Sequence, residues 1–351
     1  MSLPSSTYDT ATLVNPTSSL TDFTLIVDLS RMSAAWWAAV DTSDGTKGRA
    51  AKDSGPTELA CDWIDFDNVA ETGLLRVKWS GTLATSGTQT LRVYPPMAAN
   101  ASVAANATYG SDNAYDADWA AYWPLATDAN DRTVNNIDLT AQGGVTIGAA
   151  TGKLGAATEF DGSNDRLDYT AGNPIDGHPA MFSAWFNQDT TNPRSLIYTD
   201  VSALAGTPYR RLLDGTYPQA QEYNGTTSAL GRTTAVTCTT GVWYMATGQF
   251  VSASERYGWT NKSKGSNTTT VDSTGCDRVA LGGAIWGGSY FDGIMQHAQM
   301  HTDSRADDWI EYEYDQINDQ ATLWGTWTNV PVAGGISIPV VMHHRRMMGV
   351  S

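Results

Sequence analysis

The feature that most constrains the fold is a set of short apolar runs separated by turn-rich segments. The chain reads YWPL from Tyr122, FDGSND from Phe160 and MFSAWF from Met181, where alternate positions are apolar. Such alternation places side chains on one face of a β-strand, and Asp-Gly and Asn-Asp pairs favour turns. A second FDG begins at Phe291, and DSRADDWIEYEYDQ after it has a helical pattern, with Ser304 placed to cap it. We therefore predict an all-β fold with a short C-terminal helix, and Phe160 and Trp185 in its core.

The first hundred residues also have the pattern of strands. Phe23–Leu29 is an apolar run, and TQTLRVY ends at Tyr94 before two prolines, which cannot continue a ladder. Ser33 is placed to cap a short helix. We predict two tandem β-sandwich domains with separate cores. Their predicted bounds are 1–98, with a polar arm, and 119–328, joined by a linker at 99–118 and followed by a tail at 329–351.

Taken together, YWPL, GKLGAATEFDGSNDRLDY, MFSAWF and YFDG resemble the LamG-like (concanavalin A-like) jelly-roll domain. Residues 8–98 resemble a small β-domain of uncharacterised function that often precedes it. The resemblance implies that the second domain is a jelly roll and that it serves recognition. The basic, Met-rich C-terminal tail is similar to tails of tailed-phage structural proteins, which implies a place in a virion.

Charge and terminal sequence limit the partners. A net charge of −16, with 21 basic residues scattered among 37 acids, argues against nucleic acid. MSLPSSTYDT lacks the basic start and apolar region of a signal peptide, and no apolar stretch is long enough for membrane insertion. We expect a protein made in the host cytoplasm and placed on the virion surface. Cys61, Cys238 and Cys276 fit buried free thiols better than a Cys238–Cys276 disulfide.

Closely spaced acids suggest two kinds of chemistry. Glu311, Glu313 and Asp315 invite comparison with β-jelly-roll glucanases, which carry paired carboxylates on a strand. On a helix these three positions point in different directions, so we predict a solvated helix face and no catalytic residues. His178, His297 and His301 are isolated, which favours ordinary core or surface histidines.

Acidic loops could hold calcium, although no cofactor is required. Calcium binds several oxygen ligands on turns, and the alternative is that these carboxylates cap turns. The candidate ligands in the loops are Asp128, Asp131, Asp161 and Asp165, with Asn164 and Asp168 nearby.

Loop aromatics are the best candidates for ligand binding. Flat rings stack on sugar faces, and neighbouring Gly, Asn and Arg residues place these rings near the sandwich rim; the alternative is that the rings pack loops onto the sandwich. The candidates for a glycan site are Tyr209, Tyr217, Tyr223, Trp259, Trp286 and Tyr290.

The tail is apolar and basic where the rest of the chain is acidic. We predict that it docks on other virion proteins or on a second copy of this chain, as in a homo-oligomer. The candidate docking residues are Ile336, Ile338, His343, His344, Arg345, Arg346, Met347 and Met348.

These observations favour a non-enzymatic structural component of a tailed-phage virion, such as a head decoration, spike or tail-associated protein. Its LamG-like domain would bind host-surface glycans. Two alternatives remain, a polysaccharide-degrading enzyme and a purely architectural subunit that binds no glycan.

Overall fold

Antiparallel strands build this computed structural model, which describes residues 3–4, 7–53, 57–172, 175–204 and 208–331. Four sheets and a few short helices account for its regular structure within those ranges. The prediction of an all-β fold with a short helix near the C-terminus is confirmed. No helix of the described residues combines the length and apolar character that a membrane crossing requires.

Seven strands form most of an N-terminal sandwich. They are β1 (Tyr8–Leu13), β2 (Leu20–Asp28), β3 (Arg49–Lys52), β4 (Thr57–Leu59), β5 (Cys61–Asp67), β6 (Thr72–Leu83) and β7 (Gln89–Tyr94). One sheet has the order β1-β7-β3-β4 and the other β2-β6-β5. The short helix α1 (Ala34–Ala39) begins as predicted, because the Ser33 hydroxyl accepts a hydrogen bond from the Trp36 amide at 3.1 Å.

The second sandwich contains two larger sheets. The inner sheet comprises β8 (Trp119–Trp123), β10 (Thr146–Thr151), β11 (Ala156–Asp161), β13 (Ala180–Gln188), β18 (Trp243–Ser252), β19 (Glu255–Thr260), β20 (Ser263–Asn267) and β22 (Asp292–His301). The outer sheet has the order β17 (Ser228–Gly231), β16 (Gln219–Tyr223), β15 (Tyr209–Leu213), β14 (Ser195–Asp200), β21 (Arg278–Leu281), β12 (Arg166–Tyr169) and β9 (Thr140–Gln142). Alternate residues such as Phe182, Phe186 and Leu212 fill the space between the two sheets.

The C-terminal elements connect the two sandwiches. Helix α2 (Asp307–Asn318) lies between β2 and the inner sheet, and α3 (Gln320–Leu323) and β23 (Thr328–Val330) follow it. The Trp309 ring packs 5.4 Å from Phe23, while Tyr314 stacks 5.3 Å from Trp185 on the other side. Strand β23 then pairs with β1, so the first sheet contains residues from both ends of the described chain.

The expectation of separate cores is wrong. One buried cluster contains Phe23 and Val77 of the first sandwich together with Trp119, Trp185 and Trp259 of the second. The reason is that the inner sheet is apolar on both faces, and its second face must be covered. The burial predicted for Phe160 and Trp185 is confirmed, since each is 1% exposed.

Three smaller expectations also need correction. The predicted linker packs tightly, because Ala114 and Tyr115 are buried and the Tyr115 hydroxyl donates to Asp62 at 2.8 Å. Helix α2 begins after Ala306, and no side chain caps it, so Ser304 is not its cap. Residues 329 and 330 belong to β23, not to a separate tail. The domain boundaries themselves stay a prediction, and the three cysteines are buried free thiols.

Candidate binding surface

Three tyrosines form a row across adjacent strands on the face of the outer sheet that points away from the core between the sheets. Tyr198 of β14, Tyr209 of β15 and Tyr223 of β16 have ring centroids 5.5 Å and 5.1 Å apart in turn. Their strand neighbours Ile197 and Leu212 point into the core between the sheets, whereas Tyr198 belongs to a small separate cluster on the opposite face. Strand alternation therefore produces this tyrosine row, with one ring on each of three neighbouring strands.

A glycine-rich loop places a tryptophan beside the tyrosine row. Gly282 begins the loop with φ +76°, and a Cβ there would lie 2.3 Å from the Phe160 ring, so only glycine fits. Trp286 at the tip is 57% exposed, and its Nε1 donates to the Tyr198 hydroxyl at 2.8 Å. It is the one exposed tryptophan in the described ranges, and the hydrogen bond fixes its ring in place.

Polar groups lie between these rings. The Arg211 guanidinium lies 5.0 Å from the Tyr209 ring centroid, and its Nε donates to Oε1 of Gln221. The amide nitrogen of Gln221 in turn donates to Ser228 at 2.9 Å. We call Tyr198, Tyr209, Tyr223, Trp286 and Arg211 the aromatic face.

The same sheet face carries two ion pairs beyond the rings. Arg278 lies 2.7 Å from Asp200, and Arg166 lies 2.9 Å from Asp168. A groove of about 430 Å³ lined by Thr140, Gln142 and Asp168 continues the face toward β9. The aromatic face thus sits in a surface rich in hydrogen-bonding groups.

The structure brings together four of the six predicted aromatics. Tyr209, Tyr223 and Trp286 belong to the aromatic face, and Tyr290 lies against the same loop, because a Cβ on Gly283 would come within 2.9 Å of its ring. Tyr198 and Arg211 were missed by the sequence analysis. Each has an apolar residue on one side only, Ile197 and Leu212, with Thr199 and Arg210 on the other side, so the local sequence shows no clear alternation that would mark either as outward-facing.

Two of the predicted aromatics lie elsewhere. Tyr217 is half-buried at the opposite end of the β15–β16 hairpin, 5.9 Å from Arg232. Trp259 is only 2% exposed, so its placement at the rim is wrong. It lies on the face of β19 turned toward α2, and its Nε1 donates to Gln249 at 2.8 Å.

The four candidate calcium ligands act as turn caps. The Asp131 carboxylate accepts hydrogen bonds from the amides of Tyr122, Thr133 and Ile137 at 2.9–3.0 Å. The Asp128 carboxylate accepts from the Asn130 amide. The Asp161 carboxylate accepts from the amides of Ser163 and Asn164, and the Asp165 carboxylate accepts from the Asp161 amide. In the described part of the chain, none of the four belongs to a cluster of three or more potential ligand groups.

One such cluster does occur, at His178, Glu222 and Asp272. Glu222 already accepts hydrogen bonds from Arg210 Nε at 3.1 Å and from Arg256 Nη2 at 2.9 Å. Two guanidinium groups beside the carboxylate repel a cation, so the cluster is an ion-pair network.

The carboxylates of α2 do not converge on one site. Glu313 is buried and pairs with the fully buried Arg76 at 3.1 Å, whereas Asp315 pairs with Lys262 at 2.6 Å. The prediction of a solvated face is therefore wrong for Glu313, because Arg76 of β6 needs a buried counter-ion. His297 and His301 are buried, and burial lowers the pKa of both imidazoles. The eight tail residues from Ile336 to Met348 lie outside the described residues.

No family model matches the chain, and no curated protein matches it. Among solved structures it is similar to domain 4 of AbnA, an extracellular GH43 arabinanase of Geobacillus stearothermophilus in complex with arabinotriose, with 20% identity, a TM-score of 0.47, and coverage of 56% of this chain and 98% of that one. It is also similar to the binding domain of Paraclostridial Mosquitocidal Protein 1 (10%, TM-score 0.45, coverage 56% and 52%). It is similar as well to the receptor-binding domain of the botulinum neurotoxin C/D mosaic serotype, with 10% identity, a TM-score of 0.43, and coverage of 56% of this chain and 51% of that one. The chain spans about half the length of the two toxin domains. With TM-scores below 0.5, these likenesses say nothing about what the aromatic face binds.

Proposed function

We propose that this protein is a non-enzymatic saccharide-binding protein and that the aromatic face is its binding site. The observation that carries the proposal is Trp286, which is 57% exposed at the tip of a glycine-rich loop and hydrogen-bonded to the tyrosine row. An exposed ring held in a fixed orientation beside further rings offers a preformed stacking surface to a ligand.

The chemistry of the face supports a sugar as that ligand. A sugar ring presents apolar C–H groups on its faces and hydroxyl groups around its edge. Trp286 and the partly exposed rings of Tyr209 and Tyr223 offer flat apolar surfaces for the C–H groups, while the buried Tyr198 holds Trp286 in place. Gln221, Arg211 and the hydroxyls of Tyr209 and Tyr223 offer donors and acceptors for the sugar hydroxyl groups.

The wild-type chain should bind members of a glycan array, and Trp286→Ala should weaken that binding at least tenfold, or about 1.4 kcal/mol. The matched control is Val69→Ala, because Val69 is 89% exposed and lies in the first sandwich. Both variants should melt like wild type, since neither side chain is in the core. A Trp286→Ala protein that binds as tightly as wild type would rule out the aromatic face as the site.

We place the protein in a tailed-phage virion, as a head decoration, spike or tail-associated subunit that presents the aromatic face to host-surface glycans. This setting is supported by the LamG-like resemblance and by the basic composition of residues 332–351. Deletion of that segment should leave both sandwiches folded and abolish incorporation into the particle, if it docks on another copy or on another virion protein. Normal incorporation of the truncated chain would contradict the docking role.

A further inference from the structure

Arg211 differs from the other arginines on the exposed face of the outer sheet, because no carboxylate of the described residues pairs with it. Arg166 and Arg278 have Asp168 and Asp200 as counter-ions. The absence is notable in a chain with 37 acidic and 21 basic residues. An arginine left unpaired among so many acids points to a ligand that brings its own negative charge.

The guanidinium is held in one orientation by its neighbours. Its Nε is bonded to Gln221, its plane lies over Tyr209, and Nη1 is 3.4 Å from the Ser289 hydroxyl. Nη2 donates to no acceptor in the described ranges. Arg211 lies opposite Tyr198 in the ladder, next to the ring that holds Trp286. A sugar stacked on Trp286 would therefore lie near Arg211.

The surroundings make this charge available to a ligand. Burial lowers the pKa of Arg211, although the neighbouring tyrosines partly offset it, so the cation is incompletely solvated. Guanidinium groups bind carboxylates with two parallel hydrogen bonds, roughly twice as strong as neutral ones. The net charge of −16 repels anions, but salt screens exposed charges over about 8–10 Å. A local cation can therefore bind an acidic group on an acidic protein.

We propose that the aromatic face selects saccharides that carry a carboxylate, such as uronate or sialate units, and that Arg211 binds the carboxylate while the rings bind the sugar. This rests on the proposed function of the same face.

The test compares charged sugars with neutral counterparts of the same sugar backbone. The probes are oligogalacturonate and its methyl ester, sialyllactose and its methyl ester, and dextran sulfate and dextran. Wild type should bind the carboxylate form of at least one pair about tenfold more tightly than its neutral partner. Arg211→Gln should remove that preference, so that the charged and neutral forms of each pair bind equally. Arg211→Lys should restore part of the preference.

The matched control is Arg232→Gln, which removes a charge beside Tyr217, away from the aromatic face. It should leave the preference intact. Equal binding of charged and neutral forms, a preference that survives Arg211→Gln, or a preference for sulfate alone would overturn the role of Arg211 and leave saccharide binding standing. Failure of wild type to bind any probe, charged or neutral, would overturn the proposed function itself.

Discussion

At the scale of single residues, the face of the strand to which a charged side chain points decides its role. Arg210 and Arg211 are neighbours on β15, yet Arg210 points into the sandwich and is fully buried, and Arg211 points out to the aromatic face. The sequence did not predict this strand, because two adjacent arginines show no apolar alternation that would indicate a strand or the face that each side chain takes. The buried partner of Arg210, Glu222, lies on the adjacent strand β16.

Replacement of Glu222 by Gln should destabilise the fold by about 3–5 kcal/mol, because Arg210 and Arg256 would stay buried without a counter-ion. Burial by itself raises the pKa of Glu222, but the hydrogen bond from His178 and the charge of Arg210 outweigh it and lower the pKa to about 2. The stabilisation is therefore complete above the ordinary pKa of 4.5 and is lost as the pH falls toward 2.

Urea unfolding between pH 7 and pH 2 measures this effect. The matched control is Glu311→Gln, because Glu311 is half-exposed and makes no ion pair with described residues. That control should match wild type within about 0.5 kcal/mol. If Glu222→Gln also matched wild type at pH 7, the two buried arginines would not depend on this carboxylate.

At the scale of elements, α2 shows what a helical pattern can and cannot predict. Its apolar residues Trp309, Tyr312 and Ile317 follow helical spacing, which indicates a buried stripe, and all three are buried. It did not indicate that Glu313 and Gln316 are buried too. The helix contacts β2 on one side and the inner sheet on the other, so its buried surface is wider than one apolar stripe.

Trp185→Ala should loosen α2 selectively. Trp185 projects from β13 onto Tyr314 of α2, whereas its strand neighbour Phe182 projects into the space between the two large sheets. Both truncations should cost roughly 3–5 kcal/mol, but only Trp185→Ala removes a contact with the helix. Hydrogen exchange of the α2 amides should therefore rise in Trp185→Ala well beyond its rise in Phe182→Ala. Equal protection of α2 in the two variants would mean that this stacking does not anchor the helix.

At the scale of the whole molecule, the two sandwiches share one buried cluster through α2. The sequence predicted strands in both sandwiches, but it could not predict this contact. Arg76 and Glu313, which form an ion pair inside this cluster, are 237 positions apart, and the local sequence around either residue does not predict its partner. The aromatic face could not be predicted for the same reason, because Tyr198 and Tyr223 join one row only when β15 pairs between their strands.

Thermal unfolding should therefore proceed as one cooperative transition. Two independent domains would give two transitions, whereas a shared core couples them. Limited proteolysis should also spare residues 99–118, since Val103, Ala114 and Tyr115 are buried there. Calorimetry and a time course of digestion check both points. Two separate heat-absorption peaks, or early cleavage between Met97 and Tyr115, would show that the sandwiches behave independently.

The position of α2 in the chain also affects how the protein is made. Strands β1 to β7 emerge from the ribosome first, but the helix that covers β2 and neutralises Arg76 begins only at residue 307. At roughly 5–20 residues per second, the roughly 200 residues between them take about 10–40 s to synthesise. During that interval the nascent N-terminal sheets expose apolar surface and an unpaired cation. We expect this protein to depend on ribosome-associated chaperones more than its individual sandwiches would suggest.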